Sequence, residues 1–226
     1  LFANGENGLT GLFITVEGPD GAGKSTLVAK LNKKLQSVLT VPFISTREPG
    51  GSDLAEKIRE VIIDPENKEM DAKTEALLFA ASRRQHIIET IQPALNRGEV
   101  VLCDRFVDSS IAYQGAGRKI GVEEVATLNQ FATENLEPDL TLYLDVEAQV
   151  GLNRIGHNNS GRKKDRLELE EVSFHNRVRD TYLILLENNP DRMQLIDASK
   201  SPEDVFNEAW MILENELIKQ NLLEIT

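Results

Sequence analysis

Cysteine is almost absent. Cys103 is the only one in 226 residues, so no disulfide can form within the chain, and a reducing cytoplasmic setting fits. Histidine is nearly as scarce: His86, His157 and His175 show no metal-ligand spacing. No run approaches the roughly 18 consecutive apolar residues of a membrane span. Leu1–Thr10 (LFANGENGLT) lacks a basic start and a long apolar stretch. It therefore does not read as a signal peptide but as a ragged leader, set aside from the fold. Positive charge is also short. Lys and Arg total 25 against 37 Asp and Glu, a net charge of -12. That balance argues against a nucleic-acid binder, which shows a basic stripe. Any phosphate site must be a local cluster of basic residues.

What the chain does have is 40% hydrophobic residues, enough for one sizeable core, and 27% charged residues, a globular proportion. One domain over 11–226 is expected. Five short apolar runs punctuate it: 12–17, 41–46, 100–104, 140–146 and 193–197. Each is apolar on both alternating faces, as a strand covered on both sides should be. Between them the pattern predicts helices over 24–38, 53–63, 73–96, 122–135, 147–155, 168–188 and 202–220. Strands alternating with helices imply an α/β fold with a parallel sheet. Ligands of such sheets gather at the carboxyl ends of the strands, where Gly18, Arg47 and Asp104 each follow an apolar run. The polar stretch 156–164 is a candidate lid.

Gly18-Pro19-Asp20-Gly21-Ala22-Gly23-Lys24-Ser25 matches G-x-x-x-x-G-K-[ST] between a strand and a helix. Its backbone N–H groups, with the first turn of the helix through Thr26, would cradle ATP phosphates. Lys24 would reach the β- and γ-phosphates, and Ser25 would hold Mg2+. VVLCD, 100–104, resembles the strand whose terminal Asp shares that ion, which gives Asp104 the same task. Arg47, in the turn-prone loop TREPGG, with Arg59 and Arg105, could form a second phosphate pocket. An acidic chain that places arginines on the ligand edge suggests an acceptor carrying its own phosphate.

As an ordered set, EGPDGAGKST (17–26), TREPGG (46–51), EALLFAASRRQH (75–86), DRFVDSSIAYQG (104–115) and a basic segment ending Asp165-Arg166 resemble the bacterial thymidylate kinases. The resemblance covers about 11–210. It implies a P-loop NTPase fold with five parallel strands, helices on both faces and a short lid over 154–166. It also implies transfer of a phosphoryl group from ATP to dTMP and a homodimer. On matching positions it implies that Phe79 stacks on the thymine ring, Arg83 donates to O4 and Gln114 reads N3. Tyr113 would pack where a ribose 2′-OH would project, and Asp20 would accept from the 3′-OH. Arg47 and Arg105 would hold the dTMP phosphate, with Arg59 and Ser110 nearby. Some members carry a catalytic arginine in the phosphate loop and others in the lid. Here the loop has none, whereas 154–166 holds Arg154, Arg162, Lys163, Lys164 and Arg166. The charge-neutralising finger is therefore expected in the lid, at Arg162 first and Arg166 second.

Overall fold

The computed structural model describes residues 11–157 and 166–223. The expected leader and Arg162 lie outside them. Five parallel strands form one sheet in the order β2-β3-β1-β4-β5. They are β1 (Leu12–Glu17), β2 (Phe43–Arg47), β3 (Val100–Asp104), β4 (Leu140–Asp145) and β5 (Met193–Asp197). β1, β3 and β5 keep their predicted bounds. β2 starts at Phe43 rather than at residue 41, after Pro42, which has no N–H to add to a ladder.

The helices are α1 (Lys24–Val38), α2 (Asp53–Ile63), α3 (Ala72–His86), α4 (Gln92–Asn96), α5 (Val107–Ser110), α6 (Val122–Thr133), α7 (Ala148–His157), α8 (Val172–Asn188) and α9 (Pro202–Lys219). The long predicted helix 73–96 is α3 and α4 joined by a π-helical stretch, Ile87–Ile91. A second π-helical stretch, Ile111–Gly117, extends α5, and neither of these two elements was expected from the sequence. Among the described residues no helix is long and apolar enough to cross a membrane.

Alternation along β1 explains the layering. Leu12, Ile14 and Val16 face Leu27, Leu31 and Leu35 of α1 and Ala209, Leu213 and Leu217 of α9. Phe13 faces the other way, onto Val101, Cys103, Ile87, Ile91 and Phe106. Each such leucine, fully buried, contributes roughly 1.5–3 kcal/mol. A third cluster joins Tyr143 of β4 to Tyr113, Phe174, Val178 and Tyr182, seating α8 beside the π-helical stretch. Val16 and Arg47 both align with Asp104, so β1, β2 and β3 end level. The chain runs from β1 to β2, returns to β3, then crosses β1 to β4. That reversal opens a crevice at the carboxyl ends.

Candidate active site

The loop from Gly18 to Gly23 joins β1 to α1, and Lys24 opens the helix. Gly21 has φ +77, a conformation L side chains rarely adopt, and its backbone lies against that of Gly151 in α7. A Cβ on Gly21 would come within 2.1 Å of the Gly151 carbonyl oxygen, and one on Gly151 within 2.3 Å of that of Asp20. Two glycines far apart in sequence thus let a helix brace the loop. Lys24 is buried and donates to the carbonyl oxygens of Gly18 and Pro19 at 3.0 and 2.8 Å. Burial, with the Arg105 charge nearby, pushes its pKa down to about 8. Ser25 Oγ donates to Asp104 Oδ2 at 3.4 Å. These are hard oxygen donors of the kind Mg2+ takes. Among the described residues no group of three or more His, Cys, Asp or Glu could hold an ion by itself.

A cavity of about 490 Å³ runs from this loop to α3. Arg47, Arg59 and Arg105 all line it. Arg47 Nη2 meets both oxygens of Glu56 at 2.8 and 2.9 Å, and the side chain is half exposed. Exposed pairs of this kind are worth about 0–1 kcal/mol, so an arriving phosphate can replace Glu56. Arg59 donates to the Pro49 carbonyl at 3.0 Å.

Arg105 is more deeply held. Its guanidinium meets the Gly18 carbonyl at 3.0 Å, Asp20 Oδ1 at 2.5 Å and the Tyr113 hydroxyl at 3.1 Å. Its φ of 71° is left-handed, which costs roughly 1–2 kcal/mol for a residue with a Cβ. Those bonds offset the strain and aim the side chain across the crevice. Burial raises the pKa of Asp20, but the Arg105 and Lys24 charges outweigh it and hold the carboxyl below its ordinary value.

The sequence pattern of the thymidylate kinase family matches residues 16–209. The thymidylate kinase of Lacticaseibacillus casei is 57% identical over 197 residues, 87% of this chain and 92% of the relative. That of Bacillus pumilus is 48% identical over 214 residues, 95% of this chain and all of the relative. The crystal structure of thymidylate kinase from Ehrlichia chaffeensis superposes with a TM-score of 0.74 at 32% identity, covering 90% of this chain and 98% of that one. The chain belongs to the thymidylate kinase family.

In this family member the far end of the cavity is lined by Phe79, Arg83, Tyr113 and Gln114. Arg83 is 1% exposed and well tied. Nε donates to Glu48 Oε2 at 2.6 Å, Nη1 to Ser110 Oγ at 3.1 Å and to Asn129, and Nη2 to the Phe106 carbonyl at 3.0 Å. Four of its five N–H groups have these acceptors, and the fifth remains for a ligand. Ser110 thus stands behind Arg83 rather than on the cavity wall, which Ser109 lines instead. Gln114 Nε2 donates to Glu75 Oε1 at 2.8 Å. The wide π-helical turn brings Tyr113 and Gln114, four and five residues after Ser109, to the same side. The Arg118 N–H bonds the Tyr113 carbonyl at 2.8 Å, a five-residue step.

The segment expected as the lid begins as helix, because α7 runs through Arg154 to His157. Arg154 Nη1 donates to the Ala198 carbonyl at 2.9 Å and lies 3.5 Å from that of Gly21. Arg166, the second candidate finger, does not line the central cavity. It ion-pairs with Glu75 and donates to the Ile62 carbonyl at 3.2 Å.

The sequence reading missed the residues that hold these groups. Glu48 takes Arg83 and also His86, at 3.1 Å. Asn129 reaches Arg83 from α6. Glu17, fully buried, accepts from the Phe106 and Ser109 N–H groups and from the Tyr182 hydroxyl at 2.7, 3.3 and 2.7 Å. Burial, with Asp108 adding to it, pushes its pKa up to about 7. Glu17, Glu48 and Glu75 all sit inside the recurring motifs, which was their only signal. Asn129 and Tyr182 had none.

Proposed function

We propose that the chain transfers the γ-phosphoryl group of ATP to dTMP, giving dTDP and ADP for dTTP synthesis, with the following division of labour. The observation that carries it is one cavity with a phosphate-loop lysine at one end and Phe79, Arg83 and Gln114 at the other. The loop 18–26 binds the ATP phosphates, and Lys24 exchanges its two carbonyl partners for phosphate oxygens. Ser25 and Asp104 would hold Mg2+, which supplies positive charge to the donor phosphates. Arg47 and Arg105 hold the dTMP phosphate in line, with Arg59 beside them. Phe79 lies under the thymine, Arg83 gives its spare N–H to O4 and Gln114 accepts from N3–H. Tyr113 stands where a ribose 2′-OH would project, and Asp20 takes the sugar 3′-OH. The attacking oxygen is already ionised, so positioning and charge neutralisation carry the chemistry and no strong base is needed. Arg162 is the finger that closes onto the transferring group. Arg166, paired with Glu75, supports that choice by being engaged elsewhere.

A homodimer completes the reading. Leu54 and Val61 on α2, Leu77 on α3 with Ile88 just beyond it, and Phe131 on α6 are exposed, and α3 packs beside both other helices. Phe131 is 86% exposed, and exposed apolar residues grouped on neighbouring helices mark an interaction surface. Cys103 is buried and its thiol is pushed well up by burial, which suits a structural residue of a cytoplasmic enzyme. ADP formation with ATP, magnesium and each of dTMP, dUMP, dCMP, dGMP and AMP tests the function. Turnover chiefly with dTMP, and weaker with dUMP, is expected. Preference for another monophosphate would overturn Arg83 and Gln114 as base readers.

A further inference from the structure

Glu75 is 0% exposed, yet two arginines reach it from other segments of the chain. It sits one turn into α3, whose start is already capped by Asp71 accepting from the Lys73 and Thr74 N–H groups. Three side chains converge on its carboxylate. Arg118 Nε lies 3.2 and 3.1 Å from the two oxygens, Arg166 Nη2 meets Oε2, and Gln114 Nε2 donates to Oε1 at 2.8 Å. The anchors are themselves held. Arg118 pairs with Glu170 at 2.5 Å and lies over the Phe174 ring at 5.1 Å, and that ring meets Tyr113 edge-on at 6.0 Å. Arg166 is also tied to the Ile62 carbonyl.

A carboxylate between two guanidinium groups can only accept. The Gln114 amide must therefore turn its NH2 toward Glu75, and its oxygen is left for the cavity that Gln114 lines. A free glutamine could present either end. We infer that Glu75 is a positioning residue for base selection: clamped by Arg118 and Arg166, it locks the Gln114 amide as an acceptor. A pyrimidine with an N–H at that edge is admitted, and one with a bare ring nitrogen, such as cytosine, is refused. This rests on the proposed reading of Gln114.

The test compares KM and kcat for dTMP, dCMP and ATP in the wild type, Glu75→Gln, Gln114→Ala and the double variant. Gln at position 75 can donate, which frees the amide of Gln114 to reverse. Glu75→Gln should raise KM for dTMP about tenfold and narrow the dTMP-over-dCMP ratio of kcat/KM by a similar factor. KM for ATP should stay within about twofold. In the Gln114→Ala background the same substitution should leave the ratio unmoved, because the two residues act as one unit. A Glu75→Gln ratio equal to wild type, or one shifted equally in both backgrounds, overturns the inference. A Gln114→Ala variant with the wild-type ratio sinks the reading of Gln114 itself. Should Glu75→Gln fail to fold, Glu75→Asp keeps the negative charge for Arg118 and Arg166 but draws the carboxylate back from the Gln114 amide by one methylene. It should narrow the ratio in the same direction, and an unchanged ratio there overturns the inference too.

Discussion

Proton uptake on ATP binding should report the state of Lys24. Burial, with Arg105 nearby, lowers its pKa from 10.5 to about 8 in the free protein. Its partners are then two carbonyl oxygens, at 3.0 and 2.8 Å. Phosphate oxygens carry full negative charge and would draw the pKa up again. Well below about pH 8 the ammonium is charged in both free and bound states, so binding takes up little proton. Above it the free protein has lost the proton while the complex keeps it, and Kd should rise about tenfold per pH unit. At pH 9 about nine-tenths of the free protein is deprotonated, a loss of about 1.4 kcal/mol in affinity. Competing titrations lie lower. Phosphate monoesters lose their second proton near about pH 6, and Glu17 is pushed only to about 7. Calorimetry in buffer pairs of different ionisation enthalpy should read roughly 0.1 proton taken up at pH 7 and 0.9 at pH 9. Lys24→Arg, which keeps its charge throughout, should take up none at pH 9. A Kd that is flat from pH 7 to 9.5, with no uptake, would refute the argument.

Arg83→Ala should lower stability as well as thymine selectivity, because it strands Glu48 and Asn129 in the interior. Breaking a buried pair costs about 3–5 kcal/mol, or roughly 6–20 °C in Tm for a domain of this size, read by thermal melting. A Tm within about 2 °C of wild type would show that the cluster relaxes without it. Arg162→Ala should cut kcat by about 10³ while leaving dTMP affinity within a few-fold, measured by single-turnover kinetics and equilibrium binding. Survival of turnover would move the finger to another residue of 154–166. Phe131→Asp should convert a dimer to a monomer in sedimentation analysis, and a dimer that persists would place the interface elsewhere on the surface.

Much of the fold was legible because its signals are local. β1, β3 and β5 could be bounded from hydrophobic runs, since a strand covered on both faces has no polar positions inside it. The phosphate-loop motif was legible for the same reason: residues 18–25 are contiguous. The helix 73–96 was found without its π-helical stretch, because one extra residue in a turn leaves apolar periodicity nearly unchanged. The segment 107–117 was missed as helix because it is buried almost all round. Ser109, Ser110, Tyr113 and Gln114 are polar residues inside, so no apolar stripe marks it.

By itself the sequence determined the order of strands and helices, the phosphate loop, the acidic end of β3 and the family these belong to. Each is written in neighbouring residues, where backbone geometry and side-chain spacing suffice. Tertiary structure alone decided how the side chains that line the cavity are held. Glu17 meets Tyr182 across 165 positions, Arg83 meets Asn129 across 46, and Gln114 meets Glu75 across 39. Such pairings depend on which faces of packed helices come together. In a buried site a charged or amide group takes its direction from whichever acceptor lies within reach, and no local pattern encodes that acceptor.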